Sequence, residues 1–257
     1  MELLNKVAIV TGGASGLGLA TVQSLVEKKA KVVIFDVNEE VGKAACRELR
    51  DNVIFVNVDV TNSESVSSGI QKAMNAFGAI HICVNCAGIA SAEKTVGKKG
   101  PMPLERFKKV VDINLIGTFD VLRLAAAEMA KNEPLDEIGE RGVIINTASG
   151  AAFEGQMGQA AYSATKAGIV GMTLPIARDL SSLGIRINTI APGLFLTPLA
   201  AGTLPSGVIK KLESMIEFPK RLGNPSEFAA LVVHIAENAY FNGETVRLDA
   251  ALRLFPR

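Results

Sequence analysis

Tyr162 and Lys166 stand four residues apart in Tyr162-Ser-Ala-Thr-Lys166, and Ser149 lies a short way upstream. On a helix that spacing puts phenol and ammonium on one face, with Cβ atoms about 5–6 Å apart. A free phenol has a pKa of about 10 and is a poor base at neutral pH. A fixed ammonium beside it favours the phenolate. Active sites shift pKa values by about 2–5 units in this way, which brings a tyrosine to working pH. Such a phenol can take a proton from an alcohol or give one to a ketone. The same spacing occurs on helices whose tyrosine packs and whose lysine is solvated, so the pair gains its meaning from its setting.

That setting is an alternation of short apolar runs and longer amphipathic segments. Val7–Val10, Val32–Phe35, Val53–Val56, Ile80–Val84, Val143–Asn146 and Ile185–Ile190 are almost continuously hydrophobic, as parallel strands covered on both faces are. Helices are predicted near 16–29, 39–50, 63–77, 103–131, 160–183 and 225–237, with a last strand at Thr245–Leu248. The alternation predicts an α/β fold, a Rossmann-type doubly wound parallel sheet of about seven strands flanked by helices. No Pro/Gly-rich linker divides residues 1–257, so a single domain is expected. Val143-Ile-Ile-Asn-Thr-Ala-Ser149 delivers its serine to the carboxyl edge of the sheet, and Tyr162 and Lys166 follow on the next helix. Asn114 sits in the preceding long helix; Pro192-Gly193 follows the sixth strand and leads to Phe195 and Thr197. The small, apolar surface of Gly168, Ile169, Gly171, Met172 and Ile176 suits either core packing or a subunit interface.

Thr11-Gly12-Gly13-Ala14-Ser15-Gly16-Leu17-Gly18 joins the first strand to the first helix, where a dinucleotide fold needs a glycine-rich turn. Gly12 permits the tight turn, and Gly16 and Gly18 let backbone and helix approach a pyrophosphate. The helix N-terminus, opening at Ser15 and Leu17, supplies free N–H groups and positive potential. The glycines are spaced G-x-x-x-G-x-G rather than G-x-G-x-x-G. Asp36 ends the second strand, where a carboxylate accepts hydrogen bonds from the adenosine ribose. It would also repel a 2′-phosphate: two charges ~4 Å apart at an effective dielectric of 20 cost about 4 kcal/mol. Ala14, Val37 and Asn38 supply no cation to offset this, so NAD(H) is expected over NADP(H). Asp59-Val60, after the third strand, is placed to flank the adenine. Asn85-Cys86-Ala87-Gly88, after the fourth, offers small residues where a nucleotide lies against backbone.

The 257 residues are 48% hydrophobic, enough for a sizeable core, and 27 basic against 26 acidic residues leave no surplus for capturing nucleic acid. No apolar run reaches the ~18 residues of a membrane span. Met1–Lys6 runs straight into a strand, so no signal peptide is expected. A soluble protein of a reducing compartment is expected, cytoplasmic, with the mitochondrial matrix as the alternative. Cys83-Val-Asn-Cys86 spells C-x-x-C, but on a strand positions three apart point to opposite faces. Zinc needs four ligands, and Cys46, His81 and His234 show no ligand spacing, so neither a redox nor a metal site is expected there.

TGGASGLG at 11–18, Asp59, NCAG at 85–88, Asn114, Ser149, YSATK at 162–166 and PG at 192–193 occur together and in order. Along its whole length the chain resembles the short-chain dehydrogenase/reductase family. Cys86 departs from the second asparagine of many members, at a place where a small residue suffices. The resemblance implies that Tyr162 is the general acid/base and that Ser149 hydrogen-bonds the reacting oxygen. It implies that Lys166 depresses the Tyr162 pKa and binds the nicotinamide ribose, and that Asn114 holds a water linking Lys166 to solvent. Thr197 and the backbone near Phe195 would fix the carboxamide. RGVIINTAS, AAFEGQMGQAAYSATKAGIVGMTLPIARDL, TIAPGLFLTPL, NGETVRLDAALR and the loop from Ala90 to Pro103 are similar to those members acting on 3-hydroxyacyl-CoA. That narrower likeness implies NAD-linked interconversion of 3-hydroxyacyl-CoA and 3-oxoacyl-CoA, activity on hydroxysteroids or other secondary alcohols as an extension, and a homotetramer. Lys94, Lys98 and Lys99 in the 90–103 loop suit either the phosphates of an acyl-CoA or plain solvation. A 3-oxoacyl-[acyl-carrier-protein] reductase, a broad alcohol or steroid dehydrogenase, and a non-catalytic NAD(H)-binding scaffold stand as alternatives.

Overall fold

The computed structural model describes residues 1–49, 52–197 and 206–256. Nine strands occur among them: β1 Val7–Thr11, β2 Lys31–Asp36, β3 Val53–Asn57, β4 Ile82–Asn85, β5 Val96–Gly97, β6 Gly100–Pro101, β7 Gly142–Thr147, β8 Ile185–Pro192 and β9 Thr245–Leu248. The main sheet has seven strands in the order β3-β2-β1-β4-β7-β8-β9, and every pairing in it is parallel. This is the expected Rossmann-type sheet. Its order reverses between β1 and β4, which opens a crevice at the carboxyl ends of those strands.

The continuous apolar runs arise because both faces are covered. Ala8, Val10, Val32, Ile34, Val84 and Ile145 pack on one side with Val22 and Leu25 of α1 (Gly16–Glu27) and Phe228 and Val232 of a late helix, Pro225–Glu237. Ile9, Val33, Phe35 and Ile144 pack on the other with Val66 and Ile70 of α3, Val121 and Leu122 of α5 and Ile176 of α6. Here α2 is Glu39–Leu49, α3 Ser63–Phe77, α4 Leu104–Val111, α5 Gly117–Met129 and α6 Ala160–Leu180. Each such buried Val, Leu, Ile or Phe side chain contributes about 1.5–3 kcal/mol. Cys83 packs in the second layer and Cys86 against the first, so their sulfurs diverge as a strand requires.

Two predicted helices differ from expectation. The 103–131 segment is not one helix: α4 gives way to a π-helical turn, Asp112–Ile116, before α5 begins. Such insertions re-aim side chains and frequently sit at functional sites, and this one carries Asn114. The 160–183 segment ends its α-helix at Leu180 and closes with a 3₁₀ turn, Ser181–Leu183, where Gly184 takes φ +69°. The β5–β6 hairpin and a helix at Ser206–Glu213 were not anticipated. Among the described residues, no helix is long and apolar enough to cross a membrane.

Candidate active site

The crevice holds a cavity of about 420 Å³, whose lining includes Gly12, Ser15, Gly16, Leu17, Gly18, Asp36, Asp59, Val60, Cys86, Ala87, Gly88 and Thr197. Twelve of the expected cofactor residues thus come together from five segments of the chain. Gly12 adopts φ +61°, and a Cβ there would lie 2.9 Å from the Ala87 nitrogen, so the first turn must be glycine to meet the fourth strand's end. Thr11 Oγ1 fastens that meeting by accepting from Cys86 N and Ala87 N, both at 3.1 Å. Gly18 also seats α1 on its own turn, since a Cβ there would clash with the Gly12 carbonyl. The first turn of α1 carries no acidic residue, which leaves its positive end free to attract an anion.

Asp36 Oδ2 accepts from Ala14 N at 3.2 Å and Oδ1 from Asn38 N at 3.0 Å. The carboxylate is therefore held at one end of the cavity and linked to the glycine turn. Asp59 Oδ1 accepts from Thr61 N at 2.9 Å and Thr61 Oγ1 at 2.7 Å. Asn85 departs from its expected place. It is 2% exposed, and its Nδ2 donates to Asn146 Oδ1 at 2.9 Å, so the amide spans β4 and β7 inside the sheet. Phe35, Val37, Val58, Ile89 and Ile113 also line the cavity and were missed. Their apolar character marks them as core in a sequence, and only topology brings them to the edge.

A second cavity of about 200 Å³ is lined by Ser149, Tyr162, Pro192 and Gly193, together with Ala90, Gln156, Gln159, Arg247, Asp249, Leu252 and Leu254. The two cavities come together at Ile89 and Ala90, one residue in each lining. Lys166 is buried behind this junction: a Cβ on Gly88 would lie 3.6 Å from its Nζ and 3.2 Å from Asn114 Oδ1. Lys166 Nζ donates to the Thr147 carbonyl at 2.7 Å and stands 5.7 Å from the Tyr162 ring centroid. Burial lowers the Lys166 pKa to about 8, with the neighbouring Cys86 acting in the opposite sense. Burial also pushes Cys86 up to about 11, against a hydrogen bond from Thr147 Oγ1 at 3.5 Å and the charge of Lys166.

The expected lowering of Tyr162 by Lys166 is not met in this structure. Burial pushes the phenol up, and hydrogen bonding with the Ser149 side chain is what opposes it. Lys166 is engaged by a carbonyl and has itself lost proton affinity to burial. The Asn114 amide is engaged by the chain. Its Oδ1 accepts from Ile89 N at 2.8 Å and its Nδ2 donates to Ile89 O at 2.9 Å and Thr165 Oγ1 at 3.3 Å. The π-helical turn aims this side chain at the junction of the cavities. The Phe195 ring packs edge-on against Phe228, with centroids 6.4 Å apart, and Phe195 lines neither of these two cavities.

The short chain dehydrogenase family model matches residues 6–206, spanning the glycine turn, Asn114, Ser149, Tyr162, Lys166 and Thr197. The chain belongs to the short-chain dehydrogenase family. Among family members, it is 56% identical over 252 residues to the human protein named 3-hydroxyacyl-CoA dehydrogenase type-2, covering 97% of this chain and 96% of that one. It is 34% identical over 250 residues to a 3-alpha-(or 20-beta)-hydroxysteroid dehydrogenase of Mycobacterium tuberculosis, covering 96% of this chain and 89% of that one. A crystal structure of 3-hydroxyacyl-CoA dehydrogenase type-2 from Mycobacterium avium matches with TM-score 0.94 at 45% identity, covering 98% of each chain.

Proposed function

We propose that the protein is an NAD-dependent oxidoreductase that interconverts 3-hydroxyacyl-CoA and 3-oxoacyl-CoA. One observation carries the reading: a glycine-lined cavity ending at Asp36 meets a second cavity bearing Tyr162 and Ser149, with Lys166 buried behind their junction. The family and the 56% identical human relative support the reaction class and the substrate class. NAD, when bound, would accept hydride from the carbinol carbon or return it to the ketone.

The protein's own residues do the rest. Gly12, Ser15, Gly16, Leu17 and Gly18 present backbone and a helix N-terminus to the pyrophosphate. Asp36 takes the adenosine ribose and repels a 2′-phosphate. Val60, Cys86, Ala87 and Gly88 form the floor, and Thr197 and the Pro192–Phe195 backbone hold the nicotinamide end. Ser149 holds the substrate oxygen, and Tyr162 moves the proton on that oxygen. A phenol raised by burial is a competent acid toward a ketone. For oxidation it must be lowered, and the positive charge of the oxidised nicotinamide and of Lys166 would do this once both flank the ring. Asn114 clamps Ile89 beside Lys166, so a water relay would run past its amide rather than through a freely turning side chain.

The deciding assay is spectrophotometric oxidation of NADH with acetoacetyl-CoA, repeated with NADPH and with a steroid ketone. Turnover of acetoacetyl-CoA with NADH and little with NADPH is expected. No turnover of any 3-oxoacyl-CoA would refute the substrate class, and a steroid preference would favour the hydroxysteroid reading that the 34% identical relative supports. A preference for NADPH would favour a 3-oxoacyl-[acyl-carrier-protein] reductase.

A homotetramer belongs to the same proposal. Ile116 and Phe119 on α5 and its approach, and Leu174 on α6, are about half exposed, a paired-helix face suited to another subunit. Sedimentation should give about four protomer masses. We place the protein in the cytoplasm, with the mitochondrial matrix as the alternative that fractionation distinguishes, and read it as one domain, expecting one cooperative melt.

A further inference from the structure

We propose that Arg247 is a positioning residue of the substrate cavity: its guanidinium locks the loop between Ser149 and Tyr162 to the C-terminal tail, and the cavity engages substrate productively only while that lock is closed. The proposal rests on the dehydrogenase reading for its substrate, but not for its geometry. Arg247 is the penultimate residue of β9 and reaches two pieces of chain, the loop at 153–154 and the tail at 249–252. Nη1 and Nη2 donate to Glu154 Oε1 and Oε2 at 2.6 and 2.9 Å, a two-pronged pair across 93 residues. Nε donates to Asp249 Oδ2 at 2.7 Å, and Nη2 also to the Leu252 carbonyl at 3.1 Å. The guanidinium lies 5.0 Å from the Phe153 ring centroid, beside Gly150, the residue after Ser149.

Further bonds show that loop and tail meet as a seam. Gln156 Nε2 donates to the Phe255 carbonyl at 2.9 Å, and Met157 N to the Pro256 carbonyl at 3.0 Å. Arg253 adds weaker contacts to Asp249 at 3.3 Å and Glu154 at 3.4 Å. Asp249 also packs on the turn after β8, where a Cβ on Gly193 would lie 2.8 Å from it. The cavity at Tyr162 is walled by both sides of this seam: Ser149 and Gln156 from the loop, Leu252 and Leu254 from the tail. Exposed ion pairs contribute little, but a two-pronged pair of good geometry within a network of charges is the exception. Arg247 is 22% and Glu154 28% exposed, so the pair is partly covered, and Asp249, at 8%, is the more buried partner of the guanidinium.

The test compares Arg247→Met, Arg247→Lys and Glu154→Gln with the wild type. Three quantities are read: KM for acetoacetyl-CoA at saturating NADH, the NADH dissociation constant by fluorescence, and hydrogen exchange of residues 150–158 and 250–256. Arg247→Met keeps a long apolar stem over Phe153 and removes the fork. It should raise KM about tenfold and speed exchange in both segments, with NADH affinity within about twofold, because loosened positioning costs productive binding rather than cofactor contacts. Arg247→Lys should not restore the wild-type KM, since a point charge cannot span two carboxylate oxygens and a carbonyl. Glu154→Gln should move KM and exchange in the same direction by about threefold, a neutral hydrogen bond replacing a charged one. Wild-type KM with unchanged exchange in Arg247→Met, or full rescue by Arg247→Lys, would overturn the lock. If Arg247→Met fails to fold, Glu154→Gln decides by the same two readouts. A wild type inactive on every 3-oxoacyl-CoA would instead sink the substrate reading, and the exchange data would still judge the lock.

Discussion

The two ends of the crevice are positioned by different means. At the cofactor end, Gly12, Gly16 and Gly18 are set by the backbone of one turn, and Thr11 ties that turn to the end of β4 with a single hydroxyl. At the substrate end, Ser149 follows β7 and Tyr162 and Lys166 come from α6, and side chains distant in sequence hold the walls. Thr147 anchors Lys166, Asn114 grips Ile89, and Arg247 joins Glu154 to Leu252. A nucleotide presents the same phosphates and riboses to every member of a family, so main chain can serve it. A substrate varies, and side-chain ties can be exchanged without disturbing the sheet. The two ends should therefore fail differently when altered.

Tyr162→Phe should give the largest effect, confined to the substrate end. It removes the transferable proton and keeps the ring, so turnover should fall by about 10²–10⁴ while NADH fluorescence titration stays near wild type. Turnover within tenfold of wild type would remove Tyr162 from the chemistry. Gly18→Ala is the matching break at the cofactor end. Its Cβ would collide with the Gly12 carbonyl, and overpacking of this kind costs about 1–3 kcal/mol or more. A lower melting temperature together with lost NADH affinity is expected, since here the turn and the binding surface are one backbone. A variant that melts early yet binds NADH normally would separate the two.

Lys166 sharpens the comparison through pH. Its pKa is lowered from the ordinary 10.5 to about 8 by burial, so between those values the unfolded chain binds the proton more tightly. Stability then rises with pH across that window, and the burden of the buried ammonium is fully present below pH 8. Lys166→Met removes that burden, worth about 3 kcal/mol at 1.36 kcal/mol per pKa unit, and loses a hydrogen bond worth about 1 kcal/mol. The inactive variant should melt above the cofactor-free wild type at pH 7, and the gap should close as pH approaches 10.5. A gap constant across the series would mean that Lys166 is not held as a disfavoured cation. Asp36→Ala is a milder break at the other end. It should relax discrimination against NADP by at least about tenfold, the repulsion of about 4 kcal/mol being partly screened by solvent. An unchanged ratio of cofactor affinities would refute the role of Asp36.

The sequence made the sheet legible because both-face burial leaves uninterrupted apolar runs, and all seven main strands fall within a few residues of their predicted places. Of the twelve expected cofactor residues that line the first cavity, Gly12, Ser15, Gly16, Leu17, Gly18 and Asp36 were legible because one βαβ stretch is local, whereas Asp59, Val60, Cys86, Ala87, Gly88 and Thr197 join them only because ligands bind at the carboxyl ends of the strands. The π-helical turn was not legible, since one inserted residue leaves the apolar periodicity of 103–131 nearly intact. Nor was the inward turn of Asn85, whose partner Asn146 is 61 residues away across a strand pair. The Arg247 seam was invisible for the same reason: Glu154 and Leu252 acquire meaning only after β9 is laid beside β8. The sign of the Tyr162 shift was missed because helix spacing reports proximity, while burial, opposed by the Ser149 side chain, decides how readily the phenol ionises.

The smallest effect is expected at the rim, where neither means of positioning operates. Lys98 and Lys99 form the turn of the β5–β6 hairpin and Lys94 precedes it, all exposed. The hairpin stem is fixed: Glu93 N donates to the Gly158 carbonyl at 2.8 Å, close to the loop that leads into Tyr162, and Glu93 pairs with Arg106 at 2.8 Å. The lysines are thus carried on a tethered arm beside the substrate cavity, yet their ammonium groups stay in water. At physiological salt the Debye length is about 8 Å, so such charges attract a phosphate only at close range. Replacing Lys98 and Lys99 by glutamate should raise KM for acetoacetyl-CoA about three- to tenfold at low salt, with the effect shrinking as salt is added, and leave an uncharged short ketone unaffected. Equal effects on both substrates would show that the hairpin acts through structure. No effect on either would leave acyl-CoA recognition to the apolar walls, and the side-chain logic of the substrate end would stop at the Arg247 seam.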